Sequence, residues 1–405
     1  VVALIAYRAL LRARQPRAPR ESLDTFATRT MSGAADARGE PAAPNADRRR
    51  FLLTGGAVAA ASAVAAVAGT RGTRSGVAAA SSRDAAAAEL AARAATQAPS
   101  PAASATAGAQ LDVAGISPFF TPNKDFYRID TALSVPQIDK AKWSLRIHGL
   151  VDKELTISYD ELLAMPAVEH DTTLCCVSNP VGGDLISNAR WTGVLLKDVL
   201  AAAGVKAGAT QILSTSADGW TCGTPVSVAL DGRAAMLAYG MNGEPLPIPH
   251  GFPVRMVVPG LYGYVSATKW LTRLEVTRFD RAAAYWTSRG YSARAPIKVS
   301  SRIDVPRGGA PAGVVTVAGV AWAQHTGVAR VQLRIDDGPW RDCELAAEAS
   351  IDVWRQWRFR WVASRGTHTL RVRATDRRGL VQTAKVAGVA PDGATGLHTV
   401  QVTIG

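Results

Sequence analysis

Downstream of Pro296, polar residues, most of them arginine, alternate with apolar ones along one run after another, and a side-chain period of two is met by half-buried strands and by little else. Val331, Leu333 and Ile335 interleave with Arg330, Gln332 and Arg334. Trp357, Phe359 and Trp361 interleave with Arg358 and Arg360, and Leu370, Val372 and Ala374 with Arg371 and Arg373. Each run must put one face on a core and leave the other in water.

With Val314 to Trp322 and His398 to Ile404, these runs make about six strands, separated by turns such as Asp336-Asp337-Gly338. That spacing predicts an immunoglobulin-like β-sandwich over residues 296–405. Between residues 111 and 295 the pattern is mixed. Trp143 to Ile147, Gln211 to Thr215 and Val254 to Val258 read as strands, while Tyr159 to Met165 and Leu195 to Ala203 read as helices. No strand–helix–strand rhythm and no Gly-rich phosphate loop stands out, so this part is predicted to be an α+β domain and not a doubly wound nucleotide fold. Four cysteines with no CxxC pair exclude a disulfide framework, a zinc ribbon and c-type haem attachment.

The first 110 residues concern address. The chain carries a net charge of +13, and fourteen arginines stand against seven acids before Leu111. The basic stretch has no interleaved aromatics and is flanked by apolar runs, which points to a membrane and away from nucleic acid. Residues 1–50 read as the end of a membrane helix followed by a basic cytoplasmic loop. Arg48-Arg49-Arg50-Phe51-Leu52 then opens a charge-free run from Phe51 to Gly69, long enough to cross a bilayer as a helix. It reads equally as a twin-arginine export signal and as a transmembrane helix obeying the positive-inside rule. Either reading puts the residues after Gly69 on the extracytoplasmic face, and the expected protein is membrane-anchored. Residues 70–110, rich in Ala, Ser, Thr and Gly, are expected to be a disordered tether, with a possible short helix from Asp84 to Ala95.

Two local features could carry chemistry. In Leu174-Cys175-Cys176-Val177-Ser178-Asn179, a thiol on a loop just after an apolar strand is placed to reach a pocket as a ligand for a soft or high-valent metal, although a cysteine on an apolar run also serves as a small buried hydrophobe. His250-Gly-Phe-Pro-Val-Arg255, followed by Lys269-Trp270, gathers three groups able to carry positive charge among Gly and Pro turns. Such a set can hold a phosphate, or can simply occupy the surface.

Together these segments resemble the sulfite oxidase family of molybdopterin enzymes, over nearly everything from Ile116 to Gly405. Thr173-Leu174-Cys175-Cys176 with Asn179 is similar to that family's metal-ligand loop, which implies Cys176 as the molybdenum ligand. Ile186 to Gly193 resembles the segment after it. Met241 to Pro247 leading into His250 and Arg255 resembles the long signature whose His and Arg contact the pterin phosphate, and Ala267, Thr268 and Lys269 match a further cofactor-binding triplet before Trp270. Phe126-Tyr127-Arg128 resembles the segment at the pterin and substrate mouth, and Tyr291 the active-site tyrosine. The resemblance also makes the C-terminal sandwich a dimerisation domain.

What it implies is a molybdenum-dependent oxidoreductase in which the cofactor moves an oxygen atom, Arg128 positions substrate and Tyr291 serves the metal's oxygen ligand. Electrons then leave to a separate electron-transfer partner, because no haem motif is present. The departures bear on substrate. Pro180 and Val181 stand where sulfite oxidases carry paired arginines, and Ile129-Asp130 replaces the family's Asn-His. The expected substrate is therefore a small sulfur or nitrogen oxo compound, with Arg190 as a potential compensating cation. Sulfite oxidase proper, and a cofactor-free membrane-anchored binding or adhesion module, are the alternatives.

Overall fold

The computed structural model describes residues 75–93 and 107–405. The apolar run Phe51–Gly69, its arginines and the loop before it lie outside the described residues. Among the described residues, no helix is long and apolar enough to cross a membrane.

Between residues 111 and 295, two sheets and short helices form the expected α+β arrangement. One sheet orders the strands Leu155–Ser158, Ser144–Gly149, Leu271–Thr277, Gln211–Ser216 and Thr221–Pro225, all antiparallel except the pair Ser144–Gly149 and Leu271–Thr277. The other orders Ala167–Cys175, Ile186–Leu195, Met236–Met241 and Glu244–Pro245, with Arg255–Val257 added on Met236–Met241. The helix Tyr159–Ala164 starts at a capping box, in which Ser158 Oγ accepts from the Glu161 amide and the Glu161 carboxylate accepts from the Ser158 amide. The helix Leu196–Ala203 ends at Gly204, whose φ of 71° is the left-handed turn that glycine adopts without strain.

Residues 300–404 form two facing sheets. One contains Ser300–Val305, Gly313–Trp322, Arg355–Ala363 and Glu344–Leu345; the other contains Gly309–Ala310, His398–Ile404, Gly366–Asp376, Val328–Ile335 and Arg341–Asp342. The alternating apolar residues Val331, Leu333, Trp357, Trp361, Leu370 and Val372 fill the space between them. Val320, Trp322 and Trp354 instead belong to the core of the preceding domain, so the two parts share a packed seam.

The tether expected over 70–110 is corrected at 75–93, which form a helix. Ala79, Ser82 and Ala86 are buried, and Leu90 packs against the main core. Arg83 donates to Leu246 O and Pro245 O, and Glu89 pairs with Lys140 at 2.7 Å. A stripe of alanine carries little hydropathy, yet alanine is the strongest helix former, and two ion pairs hold the stripe in place.

Candidate functional site

The metal-ligand loop is fixed by its own backbone. Cys176 N donates to Leu185 O, Asn179 N to Cys176 O, and Asn179 Oδ1 accepts from Leu185 N at 2.9 Å. Asn179 thus closes the loop that follows the strand Ala167–Cys175, which gives the Cys-x-x-Asn spacing a mechanical reason. The two adjacent thiols part. Cys175 is buried in the core, and burial pushes its thiol pKa far up. Cys176 lines a cavity, and its Sγ accepts the Ser178 amide at 3.4 Å; burial raises its pKa against that hydrogen bond.

That cavity, about 920 Å³ with its open mouth included, gathers most of the residues singled out from the sequence. Phe126, Tyr127, His250, Arg255, Ala267, Lys269 and Tyr291 line it together with Cys176. Phe126 stacks on Tyr127 and meets His250 edge-on at 5.5 Å. Burial, then the neighbouring Cys176 and Cys175 thiols, hold the Tyr127 hydroxyl well above its ordinary pKa, so it stays a neutral donor.

The cationic end is built for an anion. Arg255 is buried, its Cζ 4.9 Å from the Trp191 ring; Nη1 donates to His250 O, and the buried Nε has no partner. Burial brings Arg255 down to about 10, still charged at neutral pH. Burial first, then Arg255 and Lys269, bring His250 to about 4, so its imidazole is neutral. Lys269 is brought to about 8 by burial, with Asp130 opposing. Gly251 makes the cradle possible: a Cβ there would lie 3.1 Å from both Arg255 Cβ and Lys269 Cα. A buried guanidinium with an unpartnered N–H, beside a lysine and a neutral histidine in one cavity, fits a phosphate group.

Three residues of the sequence reading sit apart from the cavity lining. Arg128 does not line the cavity; its Nε pairs with Asp130 Oδ2 at 2.8 Å at the rim, and the same oxygen takes Lys269 Nζ at 2.7 Å. Burial pushes the Asp130 carboxyl up, but these two hydrogen bonds outweigh it and hold its pKa below the ordinary value. Thr268 is fully buried outside the cavity, its Oγ1 2.6 Å from Ser214 Oγ, where it pins the strand Gln211–Ser216 to the segment carrying Lys269. Arg190 does not turn inward: it grips Asp171 through Nε and Nη2 and lies over Phe120, in a separate cleft.

The sequence reading assigned no site role to Asp130, Ser216, Asp218, Trp220, Tyr264 and Trp286, all of which line the cavity. Ser216, Asp218 and Trp220 sit on the hairpin between Gln211–Ser216 and Thr221–Pro225, and the Ala-Asp-Gly turn was the available signal. Trp286, Tyr291 and Tyr264 form an edge-to-face series with centroids 5.2 and 5.6 Å apart.

A thiol loop facing a phosphate cradle across one cavity defines a pterin-cofactor oxidoreductase domain. Residues 132–286 match the oxidoreductase molybdopterin binding domain. The chain is 32% identical to the mitochondrial sulfite oxidase of Homo sapiens over 303 residues, which cover 63% of this chain and 55% of that protein. It is 36% identical to the uncharacterized oxidoreductase YuiH of Bacillus subtilis over 156 residues, 38% of this chain and 75% of that one. The chain spans about half the length of the mammalian sulfite oxidases it matches. Among solved structures, the sulfane dehydrogenase SoxCD of Paracoccus pantotrophus shares the fold, with a TM-score of 0.62 at 24% identity, covering 72% of this chain and 86% of that one. The chain belongs to the sulfite oxidase family of molybdopterin-dependent oxidoreductases. Molybdopterin with molybdenum is the cofactor that membership implies.

Proposed function

We propose that this protein is a molybdenum-dependent oxidoreductase that transfers an oxygen atom to or from a small sulfur or nitrogen oxo compound. One observation carries the reading: the Cys176 thiol and the Arg255, Lys269 and His250 cradle line a single cavity. When bound, molybdopterin supplies a molybdenum centre able to exchange an oxygen atom and two electrons with substrate. Cys176 is the thiol ligand. Arg255 and Lys269 donate to the pterin phosphate, and neutral His250 adds a hydrogen bond without adding charge. Phe126 and Tyr127 form an aromatic wall of the cavity, and Trp220 and Trp286 exclude water near the mouth. Tyr291, its ring set against Trp286 and Tyr264, would hold a proton toward the substrate oxygen.

The substrate is uncharged in this reading. Of the cations assigned to it, Arg128 is engaged by Asp130 and Arg190 by Asp171. Sulfite would meet no unengaged arginine among those assigned to it, so an organic sulfoxide or amine oxide suits the site better. The relatives named sulfite oxidases keep sulfite as the second reading. A cofactor-free binding module is disfavoured, because a buried Arg255 with an unpartnered Nε is costly without an anion.

The arginines before Phe51 support an extracytoplasmic position held by a membrane helix or export signal. The facing sheets of residues 300–404 support an immunoglobulin-like module through which two copies dimerise, and a separate protein takes the electrons. Molybdenum and pterin analysis of the purified protein, followed by steady-state sulfite oxidation against sulfoxide reduction, tests the reading. Absence of both metal and pterin after expression with molybdate would overturn it. A sulfite Michaelis constant in the low micromolar range would replace the proposed substrate with sulfite.

A further inference from the structure

A second cavity lies on the seam between the α+β domain and the sandwich, and it shares no lining residue with the cavity of Cys176. It occupies about 860 Å³, its open mouth included. Arg233, Gly260 and Arg294 reach it from the α+β domain, and His325, Thr326 and Arg378 from turns of the sandwich.

Three guanidinium groups and an imidazole thus line one space that no carboxylate lines. The acids nearby are engaged by groups of the site itself or by backbone amides. Asp231 holds Arg233 at 2.6 Å, and Asp352 bridges His325 Nδ1 at 3.0 Å and His170 Nε2 at 2.9 Å. Asp376 accepts the backbone amides of Arg378 and Leu380. Arg294 and Arg378 are exposed, and among the described residues neither guanidinium has an ion-pair partner.

Close approach of Arg233 and His325 to the backbone is built in at the centre. Gly260 has a φ of 80°, and a Cβ on it would lie 3.0 Å from His325 Cβ and 3.1 Å from Arg233 Nη1. His325 itself has a φ of 57°, a strained backbone for a residue with a side chain. Asp352 fixes its Nδ1, so Nε2 is the ring nitrogen left for a further partner. Arg233 is held in place by Pro259 O at 2.6 Å. Two guanidinium groups without an ion-pair partner among the described residues, beside donors fixed by Asp231 and Asp352, favour an oxyanion. Planar guanidinium forks match its oxygens.

We propose that this seam cavity binds a phosphate group, held by Arg294 and Arg378 from opposite sides, with Arg233 and His325 beneath it. The ligand is inorganic phosphate or the phosphate of an anionic lipid headgroup. Such a ligand ties the two parts of the protein together. It also bears on the cofactor site, because Leu261 precedes Gly263 and Tyr264, and Arg294 follows Tyr291, all three of which line the cofactor cavity.

Titration calorimetry of the cofactor-loaded protein with inorganic phosphate, against sodium chloride of equal ionic strength, tests the site. Phosphate is expected to bind and to raise the melting temperature where chloride does not. R294A/R378A should weaken binding at least about tenfold, the effect of losing one charge-assisted hydrogen bond to an anion, and should leave the melting temperature in chloride unchanged. If the double variant does not fold, R378Q alone, at an exposed turn, should still weaken binding several-fold. Flotation with phosphatidylglycerol vesicles against phosphatidylcholine vesicles separates the sources: vesicle binding that the variant loses assigns the headgroup, and binding of soluble phosphate alone assigns the free anion. Equal phosphate affinity in wild type and variant, or binding in neither arm, overturns the proposal.

Discussion

Replacing Arg255 by methionine tests the cofactor cradle most directly. The guanidinium is already buried, with one N–H on His250 O and Nε unpartnered, so the protein has borne its desolvation before any ligand arrives. A phosphate oxygen taking Nε–H and one further N–H makes two charge-assisted hydrogen bonds of about 1.5 to 3 kcal/mol each. Allowing half of that sum for the water the phosphate gives up leaves roughly 2 kcal/mol, or about thirtyfold in cofactor affinity. Methionine keeps an unbranched chain against Trp191 and removes an incompletely paired buried charge, so the cofactor-free fold should be no less stable. The assay has two arms. Pterin and molybdenum content of the purified variant should fall far below wild type, and the melting temperature of protein made without the pterin should hold or rise. Full cofactor content with turnover lost would refute the phosphate role, and a cofactor-free melting temperature lowered by many degrees would show that Arg255 mainly supports the fold.

The two adjacent cysteines should separate cleanly. Cys176→Ser is expected to abolish molybdenum-dependent activity at unchanged melting temperature, whereas Cys175→Ser, a polar change in the core, should lower stability by about 1 to 2 kcal/mol and keep most activity; the reverse pattern would exchange their roles. Lys269 is brought to about 8 by burial, below its unfolded value of about 10.4. Between those values the unfolded chain binds a proton that the folded one lacks, so this group makes the cofactor-free protein more stable as pH rises from about 8 to about 10. Lys269→Met should flatten that part of a plot of melting temperature against pH, and equal slopes in the two proteins would contradict the depressed pKa. Asp130→Asn releases Arg128 and Lys269 from their shared carboxylate. The Michaelis constant for sulfite should then fall about tenfold at low salt while that for a neutral sulfoxide holds, and no change for sulfite would remove the electrostatic argument about substrate.

Period and turn chemistry made much of the fold legible. The strands Gly313–Trp322 and His398–Ile404 and the helices Tyr159–Ala164 and Leu196–Ala203 fall within a residue or two of where the pattern puts them. The strand Ser300–Val305 was not legible, because Ser301, Arg302 and Asp304 are buried along with Ile303 and erase the alternation. Ser301 is satisfied by Gln382 and Arg302 by Asp304, partners whose distance in sequence or burial a local pattern does not report. The helix at 75–93 was read only from Asp84 onward for the opposite reason, since its buried face is mostly alanine and looks like the linker around it.

The same limit governs the site. Motif spacing identified the thiol and the cradle because their backbones are shaped by local features, the Asn179 clasp and the close approach at Gly251. Charge state depends on partners that spacing does not name. In the sequence, Arg128 and Arg190 count as two cations open to an anionic substrate. In the fold, a carboxylate two residues along engages the first, and one nineteen residues earlier on the neighbouring strand engages the second. The doubt about sulfite began from arginines missing at Pro180 and Val181, but the stronger ground is the arginines present. Two paired guanidinium groups attract an anion less than two free ones, and that is the ground for proposing a neutral oxo compound ahead of a dianion.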